Sequence, residues 1–266
     1  MTNLSALIDI NLHRLTDAGW LTAKRDELDA QGAVQMRDLL QPHALAAVQK
    51  EAAMGLSQAY FKPQSHNIYL DNGDDRLPDS HIRNRRVTSS KGCITDDQIS
   101  AGSVLKQIYY HADFISALCF ILGEDALYPY ADSLSSVNIH YARRGEELNW
   151  HFDNSSFAVT LMIQPAISGG AFEYVRDVRN ADRDEMGFIH AEAVVDGRQM
   201  ANQLSLNAGD LLLFRGQNSL HRVTPVADDS TRQLAVLAYN SQPGISLCET
   251  AQMTFYGRIS GQVPAV

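Results

Sequence analysis

Between residues 136 and 239 the chain breaks into short runs of β-branched and aromatic residues, each closed by a turn signal. The runs are Ser136–Tyr141, Leu148–Phe152, Phe157–Gln164, Ala171–Val175, Ala191–Val195, Leu211–Phe214, His221–Val226 and Arg232–Tyr239. Between them stand Arg144–Gly145, Ser168–Gly169–Gly170, Asp196–Gly197, Ala208–Gly209–Asp210 and Asp228–Asp229. Many short strands at this spacing predict a sandwich or barrel rather than βαβ units. Upstream the period changes. Leu4, Leu7, Ile8, Leu12 and Leu15 recur at helical spacing over residues 4–20, and Gly32–Leu40 reads as a strand. Pro42 opens a helix to about Tyr60, and Thr95–Asp96–Asp97 caps helical material running to Gly123. Residues 61–92, rich in Asn, Asp, Ser, Pro and Arg, read as a long loop, which in a compact chain is functional or disordered. The expected class is α+β: one domain over 1–266, with a mainly helical part at 1–125 and a jelly-roll core at 126–258 flanked by helices.

Composition narrows the function classes. Hydrophobic residues at 45% and charged residues at 20% are the balance of a globular chain. A net charge of -9 argues against nucleic acid or an anionic membrane as partner, since both need a basic face. Cys93, Cys119 and Cys248 form no C-x-x-C pair, so neither a disulfide framework nor a zinc knuckle is encoded. Residues 1–20 lack the pattern of a signal peptide, and no apolar run reaches the length of a membrane span. A cytoplasmic location is expected; oligomeric state is not encoded, and a homodimer stays open.

His151 and Asp153 lie two residues apart in the run Leu148–Asn149–Trp150–His151–Phe152–Asp153. In a strand, positions i and i+2 share a face, so both can reach one ion. His221 follows 68 residues after Asp153. Two imidazoles and one carboxylate on one face of an octahedral ion leave three positions open, the arrangement of non-haem iron(II) oxygenases. Zinc enzymes use the same donors, with a dedicated general base. The H-x-D pattern alone is weak. His111–Ala112–Asp113 repeats it in helical material, where i and i+2 diverge, and His190–Ala191–Glu192 reads as a solvated pair. His151 alone could equally be a buried, hydrogen-bonded histidine. Arg232, 11 residues after His221, tips the balance. It opens an apolar strand, and a dicarboxylate cosubstrate needs such a guanidinium fork. Thr160 alternates onto one face of its strand with Ala158, Met162 and Gln164, where it could donate to a carboxylate or simply pack.

Taken together, these segments resemble the iron(II)/2-oxoglutarate oxygenase superfamily, built on a double-stranded β-helix. The strings Trp150–His151–Phe152–Asp153, Phe157–Ala158–Val159–Thr160–Leu161, Gly169–Gly170 with Phe172–Glu173–Tyr174, Gly209–Asp210–Leu211, Phe214–Arg215–Gly216 and Ser219–Leu220–His221–Arg222–Val223–Thr224–Pro225 are more particular. They resemble the radical halogenases of free lysine and related amino acids, and their hydroxylase relatives, over roughly residues 126–258. In those halogenases a small residue replaces the carboxylate ligand and admits chloride. This chain keeps Asp153, so the resemblance implies a hydroxylase. It further implies iron(II) on His151, Asp153 and His221, with 2-oxoglutarate anchored by Arg232, assisted by Thr160 or Tyr141. O₂ would convert the cosubstrate to succinate and CO₂ while an unactivated C–H bond gains a hydroxyl.

A free amino acid, lysine or another cationic one, needs a cation for its carboxylate and an acid for its amine. Arg83, Arg85 and Arg86 are basic candidates, though such runs are commonly solvated faces. Asp132 could meet an ammonium, Asn154 could face the pocket mouth, and Trp150 could be a pocket wall or packing. Another polar small molecule, desaturation instead of hydroxylation, a non-catalytic jelly-roll binding protein, and a zinc hydrolase are the competing readings.

Overall fold

The computed structural model of the protein describes residues 3–261. Its strands are β1 (Ala33–Met36), β2 (Tyr60–Phe61), β3 (Gln64–Asn67), β4 (Arg86–Ser89), β5 (Gly92–Ile94), β6 (Val137–Ala142), β7 (Leu148–His151), β8 (Ala158–Gln164), β9 (Phe172–Val175), β10 (Asn202–Leu204), β11 (Leu211–Phe214), β12 (Leu220–Val223) and β13 (Arg232–Leu237). The helices are α1 (Ala18–Gln31), α2 (Pro42–Gly55), α3 (Val104–Tyr109), α4 (Ala112–Leu122), α5 (Phe188–Val195) and α6 (Glu249–Tyr256). A seven-stranded sheet runs β1-β11-β8-β13-β6-β5-β2, a four-stranded sheet runs β10-β9-β12-β7, and β3 and β4 form a hairpin. Every named strand pairing is antiparallel. The class is the expected α+β with a double-stranded β-helix.

Alternation along the strands assigns the faces. Val137, Ile139 and Tyr141 of β6, Val159, Leu161 and Ile163 of β8, Leu211 and Leu213 of β11, and Ala235 and Leu237 of β13 join the largest core cluster, with Val48 of α2 and Phe114, Leu118 and Ile121 of α4. That layer lies between the wide sheet and the helices. The opposite faces of the same strands, including Met162, Leu212 and Phe214, turn inward with Tyr174 of the small sheet. The outer face of the small sheet, with Trp150 and Leu220, buries against Ile68, Tyr69, Ala191 and Val194. The Ser168–Gly170 turn is tight because a Cβ on Gly169, at φ 71°, would meet the Pro225 carbonyl at 2.1 Å.

Three expectations change. Residues 4–20 are not one helix: a single 3₁₀ turn at Leu4–Ala6 is followed by irregular chain, and α1 begins only after Asp17, whose side chain accepts from the Trp20 amide. The Asp9 carboxylate takes the Asn11 and Leu12 amides and so competes with helix there; Leu4, Leu7, Ile8 and Leu15 still bury. Segment 61–92 is not a structureless loop, because it carries the β3–β4 hairpin. Ala191–Val195 is the end of α5, since its short apolar run suits either state and Ala191 and Val194 share a helical face. The polar strand β10 and the helix α6 carry no apolar period that announces them.

Candidate metal centre

The β7–β12 pairing sets His151 directly opposite His221. Both rings turn inward from the small sheet, with centroids 4.1 Å apart. Asp153 stands just past the end of β7, its backbone N–H donating to Gly216 O at 3.1 Å. Its Oδ1 lies 3.7 Å from His151 Nε2 and 3.5 Å from His221 Nε2. Among the described residues these three side chains form the cluster whose donor atoms fall within 4.8 Å of one another.

The surroundings prepare both imidazoles as ligands. His151 Nδ1 is 2.7 Å from Asn149 O and His221 Nδ1 is 2.9 Å from Ser219 O. A carbonyl can only accept, so each Nδ1 carries the proton and each Nε2 keeps its lone pair toward the centre. Burial, with His221 beside it, pushes the His151 pKa down to about 3, keeping the ring neutral. Burial raises the Asp153 pKa, but the His221 and His151 rings outweigh it and the net shift is downward, toward carboxylate. A Cβ at Gly216 would sit 1.8 Å from Asp153 Oδ2, so the absent side chain is the space the carboxylate uses. Arg179 fastens the turn: its Nε donates to Gln217 O at 2.6 Å, its Nη2 to Asp153 O at 3.1 Å, and its guanidinium covers the Phe152 ring at 4.3 Å.

Inward from the centre, Phe214 packs edge-on against His221 at 4.8 Å and Phe172 lies 5.8 Å from it. Phe172 and Met162 also wall a cavity of about 250 Å³ that reaches Arg232. Arg232 is 6% exposed, and its Nε has no partner. Burial alone lowers its pKa to about 10, which leaves it a cation at neutral pH. A buried guanidinium without a carboxylate is costly unless a ligand supplies one. Neutral donors, a facial carboxylate and an orphaned cation facing a cavity are a donor set for a divalent metal with a dianionic chelator.

A family model described as Halogenase D matches residues 16–254. The chain belongs to the Halogenase D family. No curated protein matches it. Among solved structures, this Halogenase D member is similar to the non-heme alpha-ketoglutarate-dependent carbocyclase SnoK from nogalamycin biosynthesis, with 12% identity, 90% of this chain and 93% of that one covered, and a TM-score of 0.58. It is also similar to an oxidoreductase of the 2OG-Fe(II) oxygenase family from Burkholderia pseudomallei, at 13% identity, 86% and 95% coverage and a TM-score of 0.55. The epimerase SnoN, solved in complex with Fe3+, alpha ketoglutarate and nogalamycin RO, matches at 13% identity, 84% of each chain and a TM-score of 0.55. At such identities the likeness establishes the shared fold.

The Halogenase D member places its other candidate residues unevenly. Thr160 is on the inner face of β8, paired with Leu212 and Val236. Tyr141 is not at the cavity: it faces the helical layer and its hydroxyl donates to Ala52 O at 2.8 Å. The reason is parity, since Arg232 pairs with Ala142 and neighbours in a strand face opposite ways. Asp132 is not at the cavity either, because its carboxylate accepts from the Leu134, Ser135 and Leu247 amides as a loop cap. Trp150 lies on the outer face of the small sheet beneath the Arg222 guanidinium. Arg86 is exposed and bonded to Ser65, while Arg83 and Arg85 pair with Asp71 and Asp196. Asn154 is exposed beside Asp153. His111 caps α4 and His190 lies in α5, so neither rival pattern converges. No helix among the described residues is long and apolar enough to cross a membrane.

Proposed function

We propose that the protein is an iron(II)- and 2-oxoglutarate-dependent hydroxylase of a free amino acid, with lysine and other cationic amino acids the first to try. The observation that carries this reading is the convergence of His151, Asp153 and His221, with each Nδ1 held by a carbonyl, together with the buried Arg232, which lines a cavity with Phe172, the ring beside His221. Iron(II) with 2-oxoglutarate and O₂ supplies, when bound, the oxidising power needed for an unactivated C–H bond.

The chain supplies position and exclusion. Asn149 O and Ser219 O hold the two imidazoles in one tautomer, Gly216 and Arg179 hold the Asp153 turn, and Asp153 takes the corner a halide would need. With that corner filled by carboxylate, hydroxylation is favoured over halogenation. Arg232 would hold the distal carboxylate of the cosubstrate through its guanidinium, with Thr160 on the same inner face as a further donor. Phe172, Phe214 and Met162 keep bulk water from the space between. Asn154, at the rim, contacts substrate. The whole chain works as one catalytic unit.

The test is succinate release with iron(II), 2-oxoglutarate, air and a panel of free amino acids, with mass spectrometry of the products. A gain of one oxygen atom is expected; loss of two hydrogens would mean desaturation. Absence of succinate with every amino acid, together with absence of 2-oxoglutarate binding, would leave a non-catalytic jelly-roll.

A further inference from the structure

A second cation, the half-buried Lys91, lies against a side chain of the wide sheet's inner face. Lys91 lies where the chain leaves β4, beside the small sheet, and crosses to β5 in the wide sheet. Ser90 donates its amide to Glu147 O, and Gly92 pairs with Tyr141, so the backbone on either side of Lys91 is fixed. The Lys91 Nζ is 2.9 Å from Nδ1 and 3.1 Å from Nε2 of His140, its only side-chain partner among the described residues. His140 alternates onto the inner face of β6, paired with Leu234 and two positions from Ala142, which pairs with Arg232. Burial lowers the pKa of both groups, with Cys93 and Asp153 opposing it at Lys91, and Lys91 and Arg232 adding to it at His140. An ammonium donates to whichever ring nitrogen is unprotonated, which requires neutral His140 and leaves Lys91 with two N–H groups unspent.

We propose that Lys91, braced by His140, seats a carboxylate of the substrate. This rests on the hydroxylase reading above. The charges of ferrous ion, Asp153, dianionic 2-oxoglutarate and Arg232 would cancel, whereas the half-buried Lys91 forms no ion pair with a carboxylate among the described residues. A monocarboxylate substrate neutralises it through a charge-assisted hydrogen bond. The same seat rejects a carboxamide, which brings no charge and sets an N–H donor against an ammonium. The substrate class is thus a carboxylate held by its acid group, with the chain beyond it presented to the metal. His140 is a positioning residue here.

The experiment uses full-length protein with iron(II) and 2-oxoglutarate, kept anaerobic so that binding is read without turnover. The probes are free amino acids, their primary carboxamides, and acetate as a minimal carboxylate. Readouts are the iron(II) ligand-field spectrum on probe addition and the iron–2-oxoglutarate charge-transfer band. Amino acids perturb the ligand-field spectrum of wild type and their carboxamides do not. Lys91→Met weakens that response about 10–150-fold, a loss matching one charged hydrogen bond, while Lys91→Arg recovers part of it. The 2-oxoglutarate affinity stays within about twofold, judged against that bond's range. The proposal is overturned if Lys91→Met, folded by circular dichroism, binds the amino acid like wild type. It is overturned equally if 2-oxoglutarate weakens instead, which gives Lys91 to the cosubstrate, or if neither amino acids nor acetate register. A wild-type protein without the charge-transfer band would instead defeat the hydroxylase reading.

Discussion

Gly216→Ala adds one methyl group and should weaken metal binding. The φ of Gly216 lies outside the left-handed region, so alanine meets no backbone penalty and the effect is purely steric. The new Cβ would stand 1.8 Å from Asp153 Oδ2 and 2.6 Å from its Cγ, where ordinary contact begins at 3.4 Å. Relief requires the carboxylate to retreat by about 1.6 Å (3.4 less 1.8). Metal ligation tolerates about 0.2 Å, so Asp153 leaves the coordination sphere. Disturbing an outer-shell group costs about 10–100-fold in metal affinity; losing a ligand should reach the top of that range, about 2.7 kcal/mol. Iron(II) affinity is measured anaerobically by chelator competition, with the thermal midpoint of the metal-free protein as fold control. Gly102→Ala, whose Cβ would come no closer than 3.8 Å to Ser100 Oγ, is the neutral comparison. Unchanged iron affinity in a folded Gly216→Ala protein would refute the placement of Asp153 as a ligand held by that gap.

Other outcomes follow from the same geometry. Arg232→Ala should weaken 2-oxoglutarate about 10–150-fold, the range for a charged hydrogen bond of about 1.5–3 kcal/mol, while leaving iron(II) affinity unchanged; titration of the charge-transfer band measures both. Tyr141→Phe loses the bond to Ala52 O, so stability should fall by about 1 kcal/mol in urea denaturation, with 2-oxoglutarate affinity untouched. Asp153→Ala should abolish hydroxylation in the succinate assay and lower iron(II) affinity. Burial lowers the pKa of His13, His66, His140 and His151. The unfolded chain takes up protons near the ordinary value of about 6.5 that these folded imidazoles refuse. Stability of the metal-free protein should therefore be constant above that pH and fall below it, by up to about 1.4 kcal/mol per pH unit for each refused proton; urea midpoints at neutral and mildly acidic pH test the sign.

Local spacing made much of this protein legible. The run of short strands predicted the barrel, and seven of the eight runs are strands because period-two alternation depends only on which face each residue meets. The pair His151 and Asp153, with His221, could be picked out because an i, i+2 pair at a strand end has few geometries. Other elements were underdetermined. Ala191–Val195 is too short for its period to choose between strand and helix, and Leu4, Leu7, Ile8 and Leu15 bury without a helix because Asp9 and Asp17 redirect the local backbone bonds.

By itself, then, the sequence determined the β-rich architecture, the three candidate ligands and the arginine that faces the cavity. Only the tertiary structure decided the rest. The register between β6 and β13 turned Tyr141 outward and His140 inward, a one-residue choice that reverses every side chain and that neither strand carries alone. The crossing from β4 to β5 brought Lys91 onto His140, 49 residues away. Gly216 became a metal-site residue only where its strand end met Asp153. Contacts of that kind depend on how separate strands are packed together, and no local period records them.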